Sequence, residues 1–106
     1  MGDLKLKTKT IKPIVFQWDQ ANKDKSLKKH KVGFRESEEI FFNSPLKTLF
    51  DKSHSQTEER LIAFGKTNKG KRLFVSLTIR ENKIRIISAR PMSKKERQYY
   101  EQKEKS

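Results

Sequence analysis

The stretch KRLFVSLTIRENKIRIISAR, residues 71–90, decides the fold. Residues 71–79 and 84–90 are rich in β-branched and large apolar side chains, and Glu81-Asn82 between them is a turn-forming pair that suits a two-residue hairpin loop. With that loop, Ile79 faces Ile84, Leu77 faces Ile86 and Val75 faces Ser88. Phe74, Ser76, Thr78, Arg85 and Ile87 then occupy the opposite face. Arg85 therefore sits on a sheet surface, flanked by isoleucines in a strand where a merely solvated position would ordinarily carry Thr or Lys.

Residues 60–66 form a third strand-like run, joined to the hairpin through Thr67-Asn68-Lys69-Gly70, so the three runs make an antiparallel meander. Downstream, Ser93 and Glu96 have the S-x-x-E spacing of a capping box and open a charged terminal helix containing Arg97, Tyr99 and Tyr100. Upstream lie a polar loop over residues 51–59 and an edge strand over residues 46–50. Before these, Phe34, Ser37, Ile40 and Phe41 recur at helical spacing, with Glu36, Glu38 and Glu39 around the outer side, until Asn43-Ser44-Pro45 ends the helix. A first helix, N-capped by Asp19, runs to about His30 and carries Lys23, Lys25, Lys28 and Lys29 against few apolar anchors. Residues 14–18 read as a short strand, and residues 1–13, with Lys5, Lys7, Lys9 and Lys12, as a basic arm expected to be disordered. The expected class is α+β: a small antiparallel meander with two N-terminal helices and a C-terminal helix, in one domain over residues 14–106.

Composition sets the partner class. Lys and Arg number 26 against 13 Asp and Glu, a formal charge of +13 on 106 residues. Such a charge seeks polyanions, nucleic acid first, because each neutralised phosphate releases counterions. There is no apolar run of membrane-spanning length and no signal-peptide pattern, so a cytoplasmic protein without membrane partners is expected. With no cysteine there is no thiolate nucleophile and no cysteine-ligated zinc. Asp51, His54 and Glu58 form one isolated acidic and imidazole trio without motif spacing, so neither a metal nor another cofactor is expected.

RNA can be cut without a metal through attack of its own 2′-hydroxyl on the adjacent phosphate. That needs a proton acceptor, a proton donor and positive charge around the phosphorane. Arg60, Arg85 and Arg90, from the sheet or its margins, suit bidentate phosphate contact, and His54 or Glu58 suits proton transfer. Lys28, Lys29, His30, Lys71 and Arg72 suit positioning of the RNA backbone. A solvated or salt-bridged surface explains each cation equally well alone, and charge by itself would also serve a non-catalytic RNA-binding or ribosome-associated module.

Several blocks in order resemble the BrnT family of bacterial toxins: Phe16-Gln17-Trp18-Asp19, Lys28 through Glu36, Asp51 with His54-Ser55 and Glu58-Glu59-Arg60, and Ile62-Ala63-Phe64-Gly65. Gly70-Lys71-Arg72-Leu73, Ile84-Arg85-Ile86-Ile87-Ser88-Ala89-Arg90 and Glu96 through Glu101 continue the likeness, which spans residues 16–101. The resemblance implies a RelE-like α+β fold, ribonuclease activity that suppresses translation, and neutralisation by a BrnA-type antitoxin that also binds DNA. Ser26 stands where the family often has Asn, and Lys31 where Gly is usual.

Overall fold

The computed structural model describes residues 14–54 and 58–105, so the expected arm over residues 1–13 lies outside the described residues. In chain order the elements are β1 (Phe16–Trp18), α1 (Gln20–His30), α2 (Phe34–Glu39), β2 (Lys47–Phe50), β3 (Leu61–Lys66), β4 (Arg72–Arg80), β5 (Lys83–Pro91) and α3 (Lys94–Glu104). Short 3₁₀ turns follow α2 at Ile40–Phe42 and β2 at Lys52–His54.

The β4–β5 hairpin closes as its sequence demands. Glu81 and Asn82 both take left-handed backbone angles, φ 54° and 64°, which lets the turn follow the right-handed twist of the strands. Ile79 opposes Ile84 and Leu77 opposes Ile86 as expected, but Val75 opposes Ala89 rather than Ser88. The register shifts between Ser76 and Leu77, and Ile87 has no counterpart on β4. This bulge moves Ala89 into the core and Ser88 opposite Ser76. The main-chain N–H of Ala89 donates to Oγ of the buried Ser26 on α1 at 3.2 Å, so a helix side chain satisfies a backbone group of the bulged strand.

The meander β3-β4-β5 is extended on both sides, giving the order β1-β5-β4-β3-β2. β2 runs antiparallel on β3, as an edge strand should, whereas β1 lies parallel to β5, so the whole sheet is mixed rather than purely antiparallel. One face carries α1, α2 and the larger core, in which Val32, Ile40, Ala63, Leu73, Val75, Leu77, Ile86 and Ala89 are fully buried. Gly65 permits this layer to close: a Cβ added there would lie 2.8 Å from Cβ of Ile40. Trp18 belongs to the same layer, its Nε1 donating to Glu38 Oε2 at 3.1 Å and its ring edged against Phe34, so it is held in the packing of that layer.

α1 begins where Asp19 Oδ1 accepts from the Ala21 N–H at 2.8 Å and ends at Lys31, which is left-handed at φ 58°. That conformation is one a glycine would adopt without strain. α3 covers part of the other face. Ser93 and Glu96 exchange the two hydrogen bonds of the expected capping box, and the helix buries Tyr100 against Phe64 and Met92, with Phe74 and Tyr99 packed alongside.

Candidate nucleic-acid interface

α3 stops short of one end of its sheet face. Pairing places Thr78 opposite Arg85 and Arg85 opposite Gln17 on β1. On the other side of Thr78, Leu61 pairs with Leu77, so the next step along β3 sets Arg60 beside Thr78, whose Oγ1 donates to the Glu59 carbonyl at 2.7 Å. Arg60, Thr78, Arg85 and Gln17 thus form one row across the sheet, with Arg60 and Arg85 two strands apart, about 10 Å between Cα atoms. Strand alternation directs this row away from the α1–α2 core.

The adjacent row holds Arg80 and Lys83, paired across the turn. Glu58 joins it: Arg80 donates to Glu58 Oε2 from Nε at 3.1 Å and from an Nη at 2.7 Å. Glu58, the candidate proton-transfer carboxylate, is therefore engaged by a guanidinium that the sequence reading did not single out. Arg80 was legible from the hairpin register, which puts it two residues beyond Thr78 on the same face. Arg85 differs from both. Among the described residues it makes no hydrogen bond or ion pair, and it is half-buried with its charge available to a ligand.

Arg90 shares the face but not the row. It pairs with Phe74, four residues from Thr78 along β4, which separates it from Arg85 by roughly 13 Å. Its guanidinium lies over the Phe74 ring at 3.8 Å and grips both Glu96 oxygens, at 2.8 and 2.9 Å, anchoring the first turn of α3. The same contact holds the Glu96 carboxyl below the usual carboxylate range. His54 falls in the 3₁₀ turn after β2, in the loop that closes where the Asp51 N–H donates to the Arg60 carbonyl at 2.8 Å; its side chain is outside the described set.

The candidate RNA-positioning cations are not gathered with these arginines. Lys28, Lys29 and His30 form the last turn of α1, on the opposite face of the sheet, where they also complement the helix dipole. Lys71 ties α2 to the α1 terminus, reaching the Lys31 carbonyl at 3.3 Å and Glu36 at 3.5 Å. Arg72 latches the far end of α3 through Glu104 at 2.9 Å, assisted by Lys66 to the same carboxylate at 3.3 Å. That pairing raises the Arg72 pKa and lowers that of Glu104. Among the described residues no three His, Asp or Glu side chains converge as a metal site.

These features define a class: a small, strongly basic α+β domain with arginines gathered on one face of its sheet. Comparison with known proteins narrows it. The model of the family described as "Ribonuclease toxin, BrnT, of type II toxin-antitoxin system" matches residues 18–96, and the chain belongs to that family. The crystal structure of the Brucella abortus ribonuclease toxin BrnT shares its fold, with a TM-score of 0.60 at 21% identity, covering 77% of this chain and 100% of that one. No curated protein sequence matches the chain. As a member of this family, the chain is the ribonuclease toxin of a type II toxin–antitoxin system, which implies an RNA target and an antitoxin partner.

Proposed function

We propose that this toxin is a metal-independent endoribonuclease acting in the cytoplasm, where cutting RNA arrests translation, and that a BrnA-type antitoxin, itself a DNA-binding protein, neutralises it. The observation that carries the reading is the row containing Arg60 and Arg85 on the sheet face that α3 leaves uncovered, with the Arg85 guanidinium unpaired among the described residues.

In this reading Arg85, with Arg60 across Thr78, takes the scissile phosphate. Two guanidinium groups then offset the charge that builds on the phosphorane as the neighbouring 2′-oxygen attacks phosphorus and the 5′-oxygen leaves. Glu58, held in place by Arg80, or His54 from the adjoining loop moves the protons: one off the 2′-hydroxyl and one onto the departing oxygen. Arg90 is a positioning residue that keeps α3 seated through Glu96. Lys28 and Lys29 contribute a field that reaches RNA running past the α1 side, while Lys71 and Arg72, spent on Glu36 and Glu104, act mainly in holding the helices.

The test is the chemistry of the product ends. Purified protein incubated with end-labelled RNA in excess EDTA is expected to leave 2′,3′-cyclic phosphate and 5′-hydroxyl ends. Ends bearing 5′-phosphate, or cleavage that stops on chelation, would refute the transphosphorylation route.

A further inference from the structure

β2 is an edge strand, and among the described residues nothing pairs with its outer side. Edges of this kind are usually blunted by charge, proline or a covering element, because free N–H and C=O groups invite another strand. Here the edge instead presents Leu49 and Phe50, which are 39% and 48% exposed. They point to opposite faces: Leu49 sits opposite Ile62, on the side of α3, and Phe50 opposite Leu61. Leu49 also borders an open groove of about 350 Å³, completed by Phe64, Tyr99, Lys95 and Glu96.

The charges around the groove say what fits it. Glu96 is already spent on Arg90 and on the Ser93 N–H. Lys95, on the groove wall, and Lys47, opposite Phe64 on the same face, have no ion pair among the described residues. An occupant with apolar side chains and flanking carboxylates would satisfy both. The row of Arg60 lies only two residues beyond Ile62 along β3, roughly 7 Å, so a chain leaving the groove in that direction meets the arginine row.

We propose that β2 receives an acidic, extended segment of the antitoxin as a sixth strand. One apolar side chain fills the groove beside Leu49, and acidic side chains contact Lys47 and Lys95. The same segment continues over Arg60 and denies the phosphate site to RNA. This rests on the reading of the chain as a toxin with an antitoxin, and it deepens that reading by assigning the docking edge and the means of inhibition.

Hydrogen exchange on the full chain, alone and in complex with its cognate antitoxin, tests the assignment without any variant. The amides of residues 47–50 are expected to exchange at least about tenfold more slowly in the complex. A Leu49→Asp change is expected to leave RNA cleavage intact while raising the antitoxin concentration needed for half-inhibition by about tenfold or more. A stable complex in which residues 47–50 exchange at the free rate would overturn the proposal, as would full neutralisation of the Asp variant. Homodimerisation through this edge, seen as a Leu49-dependent sedimentation shift, would overturn it too. If residues 47–50 are protected yet the wild-type chain cuts no RNA, the docking assignment stands and the ribonuclease reading fails.

Discussion

Replacing Gly65 by Ala puts the packing of the helical layer to a direct test. The new Cβ would meet Cβ of Ile40 at 2.8 Å, its carbonyl oxygen at 3.3 Å and its Cδ1 at 3.4 Å. Ile40 is fully buried, and the closest contact is to its Cβ, so no rotamer change relieves it. The 3₁₀ turn at Ile40–Phe42 must back away from β3 until the 2.8 Å contact reaches about 3.4 Å. Overpacking of this kind typically costs ~1–3 kcal/mol. Removing the unfolded-state freedom of glycine offsets ~0.4–1 kcal/mol of that, leaving a net loss of about 1–2 kcal/mol. For a domain of this size such a loss lowers Tm by roughly 5–15 °C, readable by far-UV circular dichroism and urea titration. Adding Ile40→Val keeps the offending Cβ and is expected to bring its own cost of ~0.5–1.5 kcal/mol without rescue. A Gly65→Ala protein as stable as wild type, or one restored by the added valine, would refute the argument.

Arg72 and Arg90 hold the Glu104 and Glu96 carboxyls below the ordinary range, so their stabilisation is fully present above the unfolded value of ~4.3 and is lost as pH falls through the lower folded values. Thermal melts from roughly pH 6 down to roughly pH 3 should show the loss, and Glu104→Gln should remove the Glu104 share of it while the Glu96 share persists. Burial pushes the Tyr100 hydroxyl up to about 12, so its contribution holds below an unfolded value of ~10 and disappears as pH rises from there. Tyr100→Phe should remove that alkaline loss and, by deleting the bond to the Pro45 carbonyl, cost ~1 kcal/mol at neutral pH. Changing Lys28 and Lys29 to Gln should weaken RNA binding uniformly across sequences and reduce the salt slope by about 1.4, at ~0.7 per single-strand phosphate contact, with the cleavage pattern unchanged.

The features legible in the sequence are those fixed by neighbours in the chain. Glu81-Asn82 sets the hairpin because both residues can adopt positive φ, and Ser93 with Glu96 sets the start of α3 because the capping bonds span one turn. The bulge at Ile87 was not legible, since it answers to Ser26, far away in the chain and brought close only by the packing of α1 on β5. Nor was the parallel pairing of β1: a short apolar run announces a strand but not its neighbour or direction. The same limit divides the arginines. Strict alternation puts Arg85 and Arg90, five residues apart, on opposite faces; the bulge turns Arg90 to the side of α3, where Glu96 takes it, while Arg85 is left open. The Glu58–Arg80 pair joins positions 22 residues apart, a distance at which no local pattern operates. Lys28 and Lys29 read as part of the same basic surface until packing sends their helix to the far side of the sheet.

Single-turnover cleavage of RNA by the wild type, Arg85→Ala and Arg85→Lys, at a temperature where all three are folded by circular dichroism, bears most directly on the role of Arg85 and its row. Loss of a preorganised charge donor is expected to slow the Ala variant by about 10²–10³-fold. The Lys variant should recover only part of the rate, because an ammonium cannot reproduce the bidentate contact. Cleavage by Arg85→Ala at the wild-type rate would contradict the assignment of this row to the scissile phosphate.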